Sequence, residues 1–147
     1  MEEDLTLKEG IHPIFCAISL DNMNTFKELT KIYPQFQDLK IKISFPYNTC
    51  INIEPFQFAA VKGRVKIVEY FIDMAAPGQE NPKYKRGSTP LHCAAEKGHL
   101  QVVKILLDNI ENEKNPKNTN GFTPLAYAAK EGHLGVVKLL LDNIISE

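Results

Sequence analysis

The 147-residue sequence contains no tryptophan and only three cysteines, Cys16, Cys50 and Cys93. An odd count without metal or redox spacing supplies neither a disulfide framework nor a thiolate metal site. Charge of one sign is also missing. Lys and Arg number 17 against 18 Asp and Glu, a formal net charge of −1. The strong basic excess of a nucleic-acid binder is therefore absent, and no nucleic-acid partner is expected. No apolar run reaches the ~18 residues of a membrane span. The acidic start, Met1-Glu2-Glu3-Asp4, does not read as a secretory signal. The chain is expected to be intracellular, cytoplasmic or nuclear, without membrane contact.

Chemistry-bearing motifs are equally scarce. The eight glycines are spread along the chain, and none opens a phosphate-binding loop with Lys-Ser/Thr behind it. No Ser or Cys is accompanied by a positioned His with an acid, so an enzyme is not expected, nor a cofactor. His99 and His133 hold equivalent positions in a repeated pattern. Stacked helices lie about 8–10 Å apart, whereas two zinc ligands must each come within about 2.1 Å of one ion. Metal binding is not expected, and the histidines read as hydrogen-bonding partners of turn backbone.

What is present is self-similarity. Gly87-Ser88-Thr89-Pro90-Leu91-His92-Cys93-Ala94-Ala95-Glu96-Lys97-Gly98-His99-Leu100 returns from Gly121 as Gly-Phe-Thr-Pro-Leu-Ala-Tyr-Ala-Ala-Lys-Glu-Gly-His-Leu, a period of 34 residues. Thr then Pro is a helix start, the hydroxyl capping an orphan N–H and proline filling the first helical position. Leu91, Ala94 and Ala95 give a small-residue face, and Gly98 suits the left-handed residue that ends a short helix. Leu100 to about Asn109 then keeps Gln101, Lys104 and Asp108 on one polar stripe and is apolar elsewhere. Helices this short are marginal alone, so each unit must gain its core from its neighbours.

Thr89-Pro90-Leu91-His92, Ala94-Ala95, Gly98-His99 and Val102-Val103 resemble the ankyrin repeat. The later copy resembles it through Thr123-Pro124-Leu125, Ala128-Ala129, Gly132-His133 and Val136-Val137. The resemblance implies an all-α solenoid of stacked helix-turn-helix units with hairpin-like fingers, and protein binding as the function.

Four repeats are expected in one domain: about 8–34 as an N-terminal cap, 50–83, 84–117 and 118–147, the last of internal type and truncated or uncapped. The first copy runs from Gly10 to Ile18, with Asp21-Asn22 where later copies have Gly-His. The second begins at Glu54-Pro55-Phe56-Gln57, with Glu and Gln in place of Thr and His, and is expected to be less rigid at its turn. Residues 35–49 form an enlarged β-type insert, because Leu39, Ile41, Ile43 and Phe45 alternate with polar residues. This insert is read either as a finger lying on the first helices or as a lip with Phe45 and Tyr47 at its tip. Cys16 and Cys93 are expected to be packed, and Cys50 to be the thiol open to oxidation.

The resemblance places partner contacts on the concave face formed by fingers and inner-helix ends. Carried over position by position, these are Ile53, Val61 and Lys62 in copy two, then Lys85, Arg86, Ser88, Glu96 and Lys97 in copy three. In copy four they are Thr119, Asn120, Phe122, Lys130 and Glu131, joined by Tyr127. The early copies present apolar side chains and the later ones charge, which suits a peptide with hydrophobic and acidic parts. An adaptor or inhibitor is the expected role. The alternative is a structural spacer, or a piece of a longer array without a groove ligand. Self-association through the uncapped last repeat is a further expectation, because a terminal repeat needs a polar outer face.

Overall fold

A computed structural model of the chain describes residues 12–39, 41–44, 50–84, 87–111 and 113–145, with the backbone alone at 38, 41–44 and 50–52. Eight α-helices are found among the described residues: α1 (Pro13–Ser19), α2 (Met23–Ile32), α3 (Pro55–Lys62), α4 (Val65–Met74), α5 (Pro90–Lys97), α6 (Leu100–Asn109), α7 (Pro124–Lys130) and α8 (Leu134–Ile145). They form four pairs, each joined by a tight turn. The odd-numbered helices pack on one another in sequence, α1 on α3, α3 on α5 and α5 on α7, and α4, α6 and α8 make a second row. The result is an all-α repeat solenoid two helices deep.

Local chemistry explains each pair. Every helix of the inner row starts with proline at its first turn. Thr89 Oγ1 accepts from the His92 N–H at 3.3 Å, and Thr123 Oγ1 from the Ala126 N–H at 3.1 Å. At the other end Gly63 and Gly98 are left-handed, φ 69° and 74°, and the next residue folds back so that Arg64 N–H meets the Ala59 carbonyl and His99 N–H the Ala94 carbonyl. In the first pair Asp21 adopts the left-handed conformation with φ 53°, and the Asn22 side chain caps α2 through the Thr25 N–H at 3.1 Å.

The core changes character along the stack. Between the first two pairs it is aromatic: Phe26 lies 5.8 Å from Phe71, which stacks on Phe56 at 4.9 Å, while Phe15 meets Phe58 edge-on at 5.5 Å. Between the later pairs it is aliphatic, with Leu91, Val102, Val103, Leu106 and Leu107 buried beside Ala94 and Ala95. One 3-10 turn, Phe36–Asp38, seats Phe36 in that core 5.7 Å from Phe71. Part of the insert is thus core. Beyond it, β1 (Ile41–Ser44) pairs antiparallel with β2 (Cys50–Ile53), Ile41 opposite Ile53. Phe45 and Tyr47, the expected lip, lie outside the described residues, and so does the Cys50 side chain.

The expected looseness at the start of α3 is not seen. Glu54 and Gln57 close a capping box, with the Gln57 side chain accepting from the Glu54 N–H at 3.3 Å. Gln57 is buried where His92 sits one repeat on. An amide oxygen accepts from the cap backbone as an imidazole nitrogen does, so the exchange keeps the turn.

Candidate functional site

The repeated motif residues are absorbed by construction. His92 is buried, its Nδ1 accepting from the Thr89 N–H at 3.1 Å and its Nε2–H donating to the Phe122 carbonyl at 3.0 Å. Burial holds its pKa below the ordinary 6.5, against the opposing pull of the backbone carbonyls. His99 Nε2 donates to the Val61 carbonyl at 2.7 Å, and His133 Nε2 to the Glu96 carbonyl at 2.9 Å. Val61 and Glu96 occupy one repeat position, so the two imidazoles tie each turn to the inner helix before it. Arg64, at the corresponding place, donates from Nε to the Ile18 carbonyl at 3.2 Å and from Nη2 to the Ser19 carbonyl. Sequence reasoning missed this role, although the Gly63-Arg64 alignment with Gly98-His99 carried the signal.

The staples dictate the glycines before them. A Cβ on Gly63 would lie 2.6 Å from His99 Nδ1, and one on Gly98 2.5 Å from His133 Nδ1. Only hydrogen leaves room for the ring.

The expected partner-binding positions fare differently. Ile53 is corrected: at 5% exposure it belongs to the core and presents nothing to a partner. It belongs to the same buried core as Phe56, Phe58 and Phe71. Val61 is partly buried against that core, and Lys62 sets its ammonium 5.6 Å from the Phe58 ring centre. Ser88 is half-buried, its carbonyl accepting from the Tyr84 N–H at 2.9 Å. Lys85 and Arg86 lie outside the described residues.

The C-terminal members do come together. Phe122 is 37% exposed and stacks on Tyr127 with ring centres 5.0 Å apart. Lys130 places its ammonium 5.9 Å from the Phe122 ring centre. Thr119 and Asn120 are exposed on the adjoining turn, and Lys97 and Glu131 are exposed at the ends of α5 and α7. Glu96 is half-buried, and its carboxyl is pushed above the ordinary 4.5 chiefly by burial, with Glu131 adding to the shift and Lys97 and Lys130 opposing it.

Asn118 organises this patch and was missed. Nearly buried, it donates from Nδ2 to the Tyr127 hydroxyl at 2.9 Å while its Oδ1 accepts from the Asn120 and Phe122 N–H groups, both at 3.0 Å. The Asn-Thr-Asn-Gly run, rich in residues whose short side chains turn back on the backbone, was its signal.

Elsewhere a cleft of about 320 Å³ opens between the end of α4 and the following loop, lined by Phe56, Phe71, Met74, Pro82 and Tyr84. None of the expected inner-face residues lines it. Among the described residues no group of three or more His, Cys, Asp or Glu is placed to hold a metal ion. No described helix is long and apolar enough to cross a membrane.

Paired helices stacked in two rows, with each turn stapled to its predecessor, define a repeat protein of the helical solenoid class. Residues 56–146 match the family model for ankyrin repeats, in three copies. The chain belongs to the ankyrin repeat family. Members of this family are generally protein–protein interaction modules and typically have no catalytic activity. The α1–α2 pair precedes the matched residues.

Proposed function

We propose that this chain binds a protein or peptide segment reversibly, as an adaptor or inhibitor, on the face made by the inner-helix ends and the turns before them. The four helix pairs act as four repeats in one unit, with the insert between the first and second. The observation that carries the reading is a division of labour. Thr89, His92, His99 and His133 are consumed in bonds that hold the stack. Phe122, Lys97, Lys130 and Glu131, which the repeat pattern does not require, stay at the surface, with Lys130 over the Phe122 ring.

An exposed aromatic stack held by a buried asparagine is a ready anchor: rigid, apolar and low in entropy cost. The charges around it are mixed in sign, so they select register and partner more than raw affinity. With Ile53 buried, the apolar end of this face rests on Val61 and on the exposed Leu20. Lys83, exposed, with Lys85 and Arg86 beside it in sequence, supplies the basic part for an acidic stretch of ligand. The free thiols Cys16 and Cys93 suit an intracellular, reducing setting. The outward side of the last helix pair, where Ile145 is 76% exposed, offers a second surface for association.

The test is affinity capture followed by calorimetry on the purified partner, comparing the wild type with Phe122→Ala/Lys130→Glu and with Lys85→Glu/Arg86→Glu. Loss of an aromatic anchor at a packed interface costs about 2 kcal/mol or more, roughly thirtyfold in Kd. The first variant is expected to weaken binding by at least tenfold with the fold retained. Equal affinity for all three proteins would sink the reading.

A further inference from the structure

An asparagine reacts with its own chain when the backbone nitrogen of the next residue reaches its side-chain carbonyl carbon. The fold blocks this at nearly every described asparagine. Asn81 and Asn115 precede Pro82 and Pro116, which carry no N–H to lose, and their Oδ1 atoms accept from the Leu91 and Leu125 N–H groups at 3.0 and 3.4 Å. Asn109 and Asn143 donate to the Ile105 and Leu139 carbonyls one helical turn back. Asn22 caps α2 through the Thr25 N–H, which keeps that nitrogen from Asn24. Asn118 is buried, with both ends of its amide bonded.

Asn120 stands apart from these. It is exposed, and among the described residues no hydrogen bond holds its side-chain amide. The residue after it is glycine, in the chain's one Asn-Gly step, so no side chain shields the attacking nitrogen. A Cβ at Gly121 would meet nothing within 4 Å, which leaves space for a ring to form. One bond holds the Gly121 nitrogen, its N–H donating to the Asn118 carbonyl at 3.0 Å. That bond closes a turn in which Thr119, Asn120, Gly121 and Phe122 are all exposed, and an exposed tip opens at far lower cost than a packed helix.

We propose that Asn120 is a site of spontaneous deamidation, which changes the charge and the backbone of the turn ahead of α7. The Gly121 nitrogen attacks Asn120 Cγ. A C–N bond forms, the Cγ–Nδ2 bond breaks, and the side-chain nitrogen leaves as ammonia with the proton from Gly121. Water then opens the five-membered imide. Opening at Cγ leaves an aspartate; opening at the main-chain carbonyl leaves an isoaspartyl link, in which the chain runs through the former side chain. Either product adds one negative charge to a chain of formal net charge −1, two residues from Phe122, whose ring centre lies 5.9 Å from the Lys130 ammonium. Only the isoaspartyl link adds a methylene to the main chain, between two N–H groups, of Asn120 and Phe122, that share the Asn118 Oδ1. This moves Phe122, whose carbonyl accepts from His92 Nε2 at 3.0 Å, and so loosens the tie from α5 to the turn before α7. The chemistry needs no partner and stands apart from the binding reading.

The test keeps the full chain folded in mildly alkaline buffer, digests it at intervals for mass spectrometry, and runs a free peptide of residues 114–126 beside it. A gain of a single mass unit is expected at Asn120, at a rate within tenfold of the peptide's and at least tenfold above that of any other asparagine in the chain. Methyl transfer from S-adenosylmethionine by a protein isoaspartyl methyltransferase scores the isoaspartyl product. Asn120→Gln, whose longer side chain closes the ring poorly, should stay unmodified. After ion exchange, the aspartyl form and Asn120→Asp are expected to unfold at the parent's midpoint, and the isoaspartyl form at lower denaturant with faster amide exchange in α5 and α7. A folded chain reacting more than tenfold slower than the peptide would overturn the inference, because the turn would then protect Asn120. So would an isoaspartyl form as stable as the aspartyl one, because the added methylene would then leave the turn and its tie to His92 intact.

Discussion

The glycines that end the inner helices allow one substitution to be made twice in nearly the same backbone, with different neighbours. Gly98 and Gly132 have φ of 74° and 75°. Alanine in the left-handed region costs about 1–2 kcal/mol wherever it is placed. At Gly132 that is the whole cost, because its added methyl meets nothing within 4 Å. At Gly98 the methyl would stand 2.5 Å from His133 Nδ1 and 2.8 Å from its Cγ. Contact with Cγ means that the ring cannot escape by a small swing at its tip. Its displacement breaks the 2.9 Å bond from Nε2 to the Glu96 carbonyl, worth about 1 kcal/mol net, and loosens the packing of α7 on α5. Gly98→Ala is therefore expected to cost about 2 kcal/mol more than Gly132→Ala, read from urea unfolding midpoints at constant slope. Combining Gly98→Ala with His133→Ala removes the clash, so the pair should show a coupling of about 1–2 kcal/mol in a double-mutant cycle. Equal costs at the two glycines, or additive costs in the cycle, would refute the staple.

Three further outcomes follow from the same geometry. Burial holds His92 and His99 below their ordinary pKa of 6.5, so below about pH 6.5 the unfolded chain binds more protons than the folded one, and stability falls as pH drops from neutral. Urea midpoints at pH 7.5 and 5.0 measure this; His92→Gln, which imitates Gln57, should cost under about 1.5 kcal/mol and flatten the profile, while His92→Ala leaves its partners unpaired and costs about 2–4 kcal/mol. The Cys93 thiol is pushed up to about 12 by burial, so alkylation followed by mass spectrometry should run about 100-fold slower on the native chain than in denaturant. Arg64→Ala removes the bonds to the Ile18 and Ser19 carbonyls and is expected to cost about 2 kcal/mol, with faster amide exchange concentrated in α1 and α2; a loss spread evenly over all pairs would contradict a local tie.

The fold was legible because its instructions are local. Thr-Pro, Ala-Ala and Gly-His encode cap, close contact and reversal within a dozen residues, and their recurrence exposes the architecture without knowledge of any distant contact. The turn at Glu54 was misjudged because residue identity was read instead of hydrogen-bonding capacity: Gln57 supplies an acceptor at the height where His92 does. Ile53 was misplaced for a different reason. The positional rule was taken from repeats of regular length, but residues 35–52 lengthen this one, and the strand pairing of Ile53 with Ile41 returns its side chain to the core. Phe36 escaped notice because nothing local announces a single 3-10 turn whose purpose is to deliver one ring to Phe26 and Phe71.

A repeat motif conceals function by accounting so fully for structure. Each residue that makes the pattern recognisable is occupied: His99 and His133 by carbonyls at the end of the preceding inner helix, Gly98 by the ring packed on it, Thr89 by the helix it caps. Substituting them would abolish partner binding only by loosening the stack, and such a result would say nothing about recognition. Phe122 differs in kind. Its carbonyl accepts from His92 and its N–H donates to Asn118, so its backbone serves the stack, while its ring meets only Tyr127 and Lys130 of its own repeat at the surface. Backbone contacts survive any side-chain change, so Phe122→Ala separates recognition from stability where no motif residue can.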